Sequence, residues 1–184
     1  MPSKWVTEAS RIVVQDRWIT LRADTCRRED GRLIDPYYVR EYGEWTSMLA
    51  LTSDGGVITV REYRHGAGVS VPALPSGSVE DTDTSAGAAA ERELLEETGY
   101  QAGRVVSLGA AYANWANQNN RVHYFLGLEC ELVGRPALDE NEEIEVGLFA
   151  LDRVMAPGFL EQSFHLANLW LALPHLRKSA LVAG

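Results

Sequence analysis

The sequence predicts an α+β fold, because many strand patterns surround one early helix pattern and a second helix pattern follows near residue 170. Two Asp-Gly pairs, Asp30-Gly31 and Asp54-Gly55, each separate two runs of alternating apolar and polar residues. This arrangement is typical of β-hairpins. Residues 85–98 are rich in Ala, Leu and Glu, which favour a helix. Strand and helix patterns do not alternate regularly, which favours α+β over a βαβ repeat.

The first strand patterns precede the early helix. Residues 11–42 contain RIVVQD, WITLRADTCR and YYVREY, and the runs SMLALT and VITVREYR lie on either side of Asp54-Gly55. β-branched and aromatic residues of this kind are enriched in strands. The short segment VPALPSG then leads towards the helix and is interrupted by Pro72 and Pro75.

The early helix has marked ends, with Ser85 as a candidate N-cap and Gly99 where a C-cap glycine belongs. RVVSLGAAYAN, RVHYFLGLECEL and IEVGLFAL then predict strands, joined by the polar loop NWANQNN and the acidic loop LDENEE. Residues 158–176 predict a final helix, because their apolar residues recur at helical spacing. These residues are Leu166, Leu169, Trp170 and Leu173.

Length, charge and apolar content limit the classes of function. The 184 residues suit one domain or one domain with a short appendage, and the formal net charge is −9. Binding to a nucleic-acid backbone needs clustered Lys and Arg, so we expect no nucleic-acid partner. The longest apolar run, FHLANLWLALPHL, is shorter than the roughly 20 residues that span a bilayer, so we expect no membrane association. The N-terminus has no apolar signal segment and the two cysteines lack metal-type spacing, which predicts a cytoplasmic protein.

The run RELLEETGY, residues 92–100, contains the candidate functional group. At about 100° per residue, Glu93, Glu96 and Glu97 fall within an arc of about 100° on one side of the helix. Like charges at this spacing repel each other, and a bound Mg²⁺ or Mn²⁺ ion would remove that cost. Arg92 could orient one carboxylate. The alternative is an ordinary solvated helix face.

RELLEETGY also resembles the core of the signature of Nudix hydrolases, and Gly77 stands where that signature has its first glycine. The signature covers residues 77–100, and the runs VREYRHG and DENEEIEV extend the resemblance to the ADP-ribose pyrophosphatase-like branch over most of the chain. The resemblance implies an α/β/α sandwich with a mixed sheet and a loop–helix–loop box. It also implies a Nudix domain over residues 46–184 and an N-terminal β-strand extension, residues 1–45, that forms a homodimer.

By the same resemblance, the protein is a metal-dependent hydrolase that cleaves the pyrophosphate bond of ADP-ribose or a related nucleoside diphosphate sugar. Glu93, Glu96 and Glu97 match metal ligands, with the main-chain carbonyl of Ser76 or Gly77 as a further ligand. Glu97 and Arg92 also count among the catalytic residues, Arg92 because it orients the carboxylates.

Further residues are candidates for catalysis and substrate binding. The acidic loop supplies Glu140, Glu142 and Glu143, of which Glu142 matches the catalytic base and Glu140 a substrate-binding neighbour. The alternative for this loop is a solvated acidic turn. Phosphate contacts are expected from Arg61 or Arg64. Trp18 and Tyr38 match residues that stack on the nucleobase and form the dimer, although packing in a sheet or core is the commoner fate of such aromatics.

Two departures from the signature leave alternatives open. The loop after Gly77 has one residue too many and lacks the expected glutamate, for which Asp83 or Glu80 could substitute unless the position only shapes the loop. Residues 113–120 contain Asn and Gln in place of a Pro-Gly turn with an acidic residue. The alternative functions are hydrolysis of dinucleoside polyphosphates or other nucleotides by a Nudix hydrolase, or a non-catalytic nucleotide-sensing Nudix domain.

Overall fold

The computed structural model describes residues 4–138 and 143–182, with side chains up to residue 176. The chain divides into two compact units. The first unit runs to Gly43 and takes in Tyr112–Arg121. The second comprises Glu44–Ala111 and the described residues from Val122 onward. The sequence patterns did not indicate that Tyr112–Arg121 would join the N-terminal strands.

The first unit contains a three-stranded antiparallel sheet in the order β1-β2-β3. Its strands are β1 (Val6–Gln15), β2 (Thr20–Arg27) and β3 (Leu33–Glu41). Strand β1 starts five residues before the predicted run RIVVQD. All of its residues are exposed, which explains why its alternation was a weak signal near the N-terminus.

The loop within Tyr112–Arg121 is attached to β3 and the residue after it by hydrogen bonds. The backbone N–H of Arg40 donates to the carbonyl of Asn117 at 2.8 Å, and that of Tyr42 donates to Asn119 Oδ1 at 3.2 Å. The Tyr37 hydroxyl donates to the carbonyl of Ala116. The Asn residues of this polar loop therefore serve as partners for β3 within the first unit.

The second unit contains a mixed sheet. Its eight strands within the described residues are β4 (Trp45–Thr52), β5 (Val57–Arg64), β6 (Val69–Ala73), β7 (Ser76–Ser78), β8 (Tyr100–Gln101), β9 (Arg104–Tyr112), β10 (Arg121–Leu132) and β11 (Glu145–Phe149). The central order is β11-β5-β4-β10-β8, with β6 beside β5, β7 beside β4 and β9 beside β10. Strand β10 runs parallel to β4, whereas β5 and β7 run antiparallel to it.

Helix α1 (Ala86–Thr98) has the caps that the sequence predicts. The N–H of Ala88 donates to Ser85 Oγ at 3.1 Å, which satisfies one of the free donors of the first turn. Gly99 is left-handed with φ 76°, and its N–H donates to the carbonyl of Leu95 at 2.8 Å. The helix therefore begins and ends at the caps that the local sequence predicts.

Two helices cover opposite faces of the sheet. Successive residues of a strand point to opposite faces, so neighbouring residues of β4 contact different helices. On one face, Met48 of β4 packs in a cluster with Leu94 of α1. On the other, Leu49 packs in a cluster with Leu169 of α3 (Ser163–Val182). A short helix, α2 (Leu151–Val154), precedes α3. The predicted α+β class and the helix-covered mixed sheet are confirmed.

Helix α3 starts later than the predicted segment 158–176, because the chain forms turns between α2 and Ser163. Within the described parts of the chain, no helix combines the length and apolar character needed to cross a membrane.

Candidate metal centre

Strand β7 and helix α1 bring the candidate metal ligands together. In the β4–β7 ladder, Ser76 lies opposite Ser47 and Ser78 opposite Trp45, which fixes the position of the loop that leads to the helix. Leu94 of α1 is fully buried in the core, so the helix cannot rotate without losing this contact. The carboxylates of Glu93 and Glu97 consequently reach the backbone of β7.

Glu97 is buried with an exposed fraction of 5%, and its carboxylate accepts the backbone N–H of Ser76 at 3.1 Å. Glu93 lies against the next residue: a Cβ atom placed on Gly77 would be 2.0 Å from Glu93 Oε1. Only glycine leaves space for this carboxylate. The carboxylates of Glu93 and Glu97 are two of the three predicted ligands. They therefore lie next to Gly77 and Ser76, the residues predicted to supply a main-chain ligand.

Arg92 joins the loop to the carboxylates. Its Nε and Nη2 donate to the two carboxylate oxygens of Asp83, both at 3.1 Å. Its Nη1 donates to Glu93 at 3.0 Å and to Glu96 at 2.9 Å, and Nη2 also donates to the carbonyl of Ser78 at 2.9 Å. Each of the three guanidinium nitrogens is thus engaged, and bidentate pairing of this kind fixes geometry as well as charge.

These contacts shift the pKa values of both partners. The hydrogen bond from Arg92 lowers the pKa of Asp83, and the backbone N–H of Glu80 adds to the effect. The hydrogen bond to Asp83 raises the pKa of Arg92, against the opposing effect of its partial burial, with further contributions from Glu96 and Glu93. Both groups therefore stay charged at neutral pH.

The missing signature glutamate has a counterpart in this geometry. The Asp83 side chain is 6% exposed and contacts Arg92 through two hydrogen bonds, whereas Glu80 is 57% exposed and reaches Arg92 only at 4.0 Å. The backbone N–H of Glu80 donates to Asp83 Oδ2 at 2.9 Å, which closes the loop around the aspartate. Asp83 thus pairs closely with the arginine, whereas Glu80 makes only a long contact with it.

The donor set fits a hard divalent cation, because Glu93, Glu96, Glu97 and the Gly77 carbonyl supply only oxygen atoms. Among residues 4–138 and 143–182, no three acidic, His or Cys side chains are already arranged as a metal site. Arg92 Nη1 donates to both Glu93 and Glu96 and neutralises part of their charge.

Comparison with protein-family models gives two matches. Residues 44–168 match the NUDIX domain. The chain belongs to the Nudix family. Residues 5–39 match the nucleoside diphosphate sugar hydrolase N-terminal domain. The predicted family resemblance is therefore confirmed.

Two curated relatives of this Nudix chain are both called ADP-ribose pyrophosphatase. The protein from Bacillus subtilis (strain 168) is 28% identical over 141 residues, which are 76% of this chain and 75% of the relative. The protein from Mycobacterium tuberculosis (strain ATCC 25618 / H37Rv) is 30% identical over 135 residues, 71% of this chain and 63% of the relative. The crystal structure of an ADP compounds hydrolase is similar with a TM-score of 0.84, covers 97% of both chains and is 20% identical, which shows the fold.

The other predicted site residues of the Nudix chain lie at several places. In the second unit, Arg61 lines a groove of about 480 Å³ together with Glu143, and its Nη1 donates to the carbonyl of Ser70 at 2.9 Å. Arg64 pairs with Glu62 at 2.9 Å and lines a different cavity. Their phosphate contacts stay predictions.

The predicted base Glu142 and its neighbour Glu140 lie outside the described residues. Within the first unit, Trp18 is 72% exposed and Tyr38 is 48% exposed. Neither side chain is therefore packed in the core, although Tyr38 lies in the sheet, and the stacking and dimer roles stay predictions. Trp18 lies in the β1–β2 turn, and Tyr38 lies in β3 next to the buried Val39, on the opposite face of the strand.

Gly77→Ala should displace the Glu93 carboxylate without unfolding the protein, because the clashing atoms are the end of a flexible side chain. We expect Mn²⁺ binding, measured by isothermal titration calorimetry, to weaken roughly 10- to 100-fold while the Tm without metal changes little. Gly87→Ala is the matched control, since an added Cβ there meets Phe125 at an ordinary 3.6 Å. Equal Mn²⁺ affinity in Gly77→Ala and the wild type would contradict the ligand assignment of Glu93.

Asp83→Ala should release Arg92 from the loop and weaken Mn²⁺ binding by about tenfold, the effect expected when a residue that orients ligands is lost. Glu80→Ala, the control in the same loop, should leave the affinity within about twofold, as expected for an exposed charge 4.0 Å from its partner. If Glu80→Ala weakened binding more than Asp83→Ala, the assignment of the arginine partner would be wrong.

Proposed function

We propose that the protein is a metal-dependent Nudix pyrophosphohydrolase that cleaves the pyrophosphate bond of ADP-ribose or a related nucleoside diphosphate sugar. One observation carries the proposal. The Glu93 carboxylate lies next to Gly77 and the Glu97 carboxylate next to Ser76. Arg92 orients Glu93 and Glu96. Such a group of oxygens suits a divalent cation that in turn binds an anionic pyrophosphate.

Mg²⁺ or Mn²⁺ would be held by Glu93, Glu96, Glu97 and the main-chain carbonyl of Gly77 or Ser76. When bound, the metal neutralises charge on the phosphate oxygens and lowers the pKa of a coordinated water. The chain's own contribution is to fix these ligands. Burial and the Ser76 N–H hold Glu97 in one orientation, and the ion pair with Asp83 keeps Arg92 on the two remaining carboxylates.

A general base must also remove a proton from the attacking water. We assign this role to Glu142 by its match to the family's catalytic glutamate, with Glu140 as a substrate-binding neighbour. Support from the described residues is indirect: Glu143, next to Glu142, lines the groove that also contains Arg61. Arg61 could therefore bind a phosphate in this groove.

The substrate class rests on the relatives. Both curated relatives are called ADP-ribose pyrophosphatase, and the N-terminal match is to a nucleoside diphosphate sugar hydrolase domain. A second candidate is a dinucleoside polyphosphate or another ADP compound, because the similar crystal structure is that of an ADP compounds hydrolase. A purely sensing Nudix domain is disfavoured, since the three helical glutamates and Arg92 are all retained.

We also propose that the protein is a homodimer formed through residues 1–45 and acts in the cytoplasm. Strand β1 exposes Ile12, Val13 and Val14 at 51%, 40% and 46%, which is apolar surface that a second copy could cover. Cys26 and Cys130 are free and buried, as is common in a reducing compartment.

The proposed reaction is tested by incubating the protein with Mg²⁺ and a panel of ADP-ribose, UDP-glucose, GDP-mannose and diadenosine polyphosphates, with product nucleotides measured by chromatography. We expect AMP and a ribose phosphate from ADP-ribose, and loss of at least about 99% of kcat in Glu97→Gln, as expected when a metal ligand that stabilises the transition state is lost. Glu91→Gln, on the exposed side of α1, is the matched control and should retain activity. Absence of turnover on every member of the panel would refute the proposal.

A further inference from the structure

Besides the groove at Arg61, the second unit contains another cavity, on the side of the sheet that α3 covers. It has a volume of about 490 Å³ and lies between the β5–β6 hairpin and the first turn of α3, with Trp45 of β4 also lining it. We call it the α3 cavity. It does not include any of the glutamates of the metal centre.

The wall of the α3 cavity is mostly apolar and aromatic. The hairpin contributes Val69, Val71 and Pro72, and α3 contributes Phe164, whose ring lies 4.2 Å from that of His165. Charged side chains, among them Glu62 and Arg64, also line the cavity. An apolar slot with a few polar groups is the usual form of a small-molecule site, and the volume suits a nucleoside.

His165 supplies a buried polar group to this wall. It is 3% exposed, and its Nδ1 lies 3.3 Å from Ser47 Oγ. Asn168 Nδ2 donates to the Ser47 carbonyl at 2.8 Å and to Ser47 Oγ at 3.1 Å, and the carbonyl, which can only accept, fixes the amide orientation. Ser47 Oγ accepts from Asn168 and can donate its own hydrogen to His165 Nδ1, which would leave the remaining proton of the neutral imidazole on Nε2 as a donor.

The imidazole is neutral at physiological pH. Burial, with a smaller contribution from the charge of Arg64, lowers the pKa of His165 to about 3. Protonation of the ring is therefore not part of its role in the folded protein, and a ligand would meet the neutral imidazole.

Trp45 provides a second donor. Its indole Nε1 is buried and has no hydrogen-bond partner within the described residues. An unpaired buried donor is costly, so a ligand acceptor next to it would be favourable. In the β4–β7 ladder Trp45 lies opposite Ser78, and Ser47 opposite Ser76. The strand that carries these cavity residues is thus the direct neighbour of the metal-centre loop.

We propose that the α3 cavity binds a nucleobase, with the ring against Phe164 and its ring-nitrogen or carbonyl acceptors bound by His165 Nε2–H and Trp45 Nε1–H. The base could belong to the nucleotide that is hydrolysed, in which case the inference rests on the proposed function, or to a separate nucleotide. The ligand chemistry is the same for both, and the experiment distinguishes them.

The test uses full-length protein in EDTA, so that binding needs neither metal nor catalysis. Adenosine, guanosine and uridine are titrated separately and followed by saturation-transfer NMR and calorimetry, with ribose 5-phosphate as a probe that lacks a base. We expect at least one nucleoside to bind with saturation of its base protons, and ribose 5-phosphate to show no binding.

Variants locate the binding site. Phe164→Leu should weaken nucleoside binding about tenfold, the effect of losing one stacking contact. Ala67→Trp, in the exposed hairpin turn, should fill the cavity and abolish binding without disturbing the core. Trp170→Leu removes an aromatic ring from the exposed side of the same helix and should bind like the wild type. No binding of any nucleoside, or unchanged affinity in both Phe164→Leu and Ala67→Trp, would overturn the proposal.

Kinetics then identify the source of the base. If it belongs to the substrate, the bound nucleoside competes with ADP-ribose, and Phe164→Leu raises KM with little change in kcat. If it belongs to a separate ligand, the nucleoside still binds when ADP-ribose saturates the enzyme. Failure of the hydrolase proposal is recognised separately, since a protein without turnover can still bind nucleosides in EDTA.

Discussion

Repulsion between carboxylates on one face of α1 is the constraint on which the candidate site depends. Glu93, Glu96 and Glu97 repel one another, and burial of Glu97 makes its charge more costly. Arg92 offsets part of this cost by binding Glu93 and Glu96 through one nitrogen, and the Ser76 N–H does so for Glu97. Arg92 and the Ser76 N–H orient the three carboxylates, and a divalent cation would supply the positive charge that remains missing.

The structure of the loop before α1 depends on the contacts that hold Arg92 in place. Its planar guanidinium has donors left after it binds the helix, and Asp83 and the Ser78 carbonyl accept them. The loop that precedes α1 is therefore fixed to the helix by charge and to the sheet by the β4–β7 ladder. An aspartate is shorter than the glutamate of the family signature. The extra loop residue agrees with this difference, because it lets the backbone bring Asp83 to the arginine.

Local signals in the sequence were sufficient for some features. The caps of α1 at Ser85 and Gly99 and the common side of the glutamates follow from residue type and helical period. Non-local pairing was not accessible in this way. Neither the short strand β7 nor the attachment of the loop around Asn117 to β3 has a local pattern, because each depends on a partner distant in sequence. The choice between Asp83 and Glu80 also depended on loop geometry, since both are acidic and close to Gly77.

The central claim is that the glutamate face of α1 and the Gly77 loop together hold a catalytic divalent cation. Its most direct test is a crystal structure of the protein grown with Mn²⁺, with anomalous diffraction data collected at the manganese absorption edge. The account predicts an anomalous peak within about 2.5 Å of oxygens from Glu93, Glu97 and the main chain of Gly77 or Ser76. The account would be contradicted if manganese bound only elsewhere, while Arg92 and the glutamates had well-defined electron density with no anomalous peak between them.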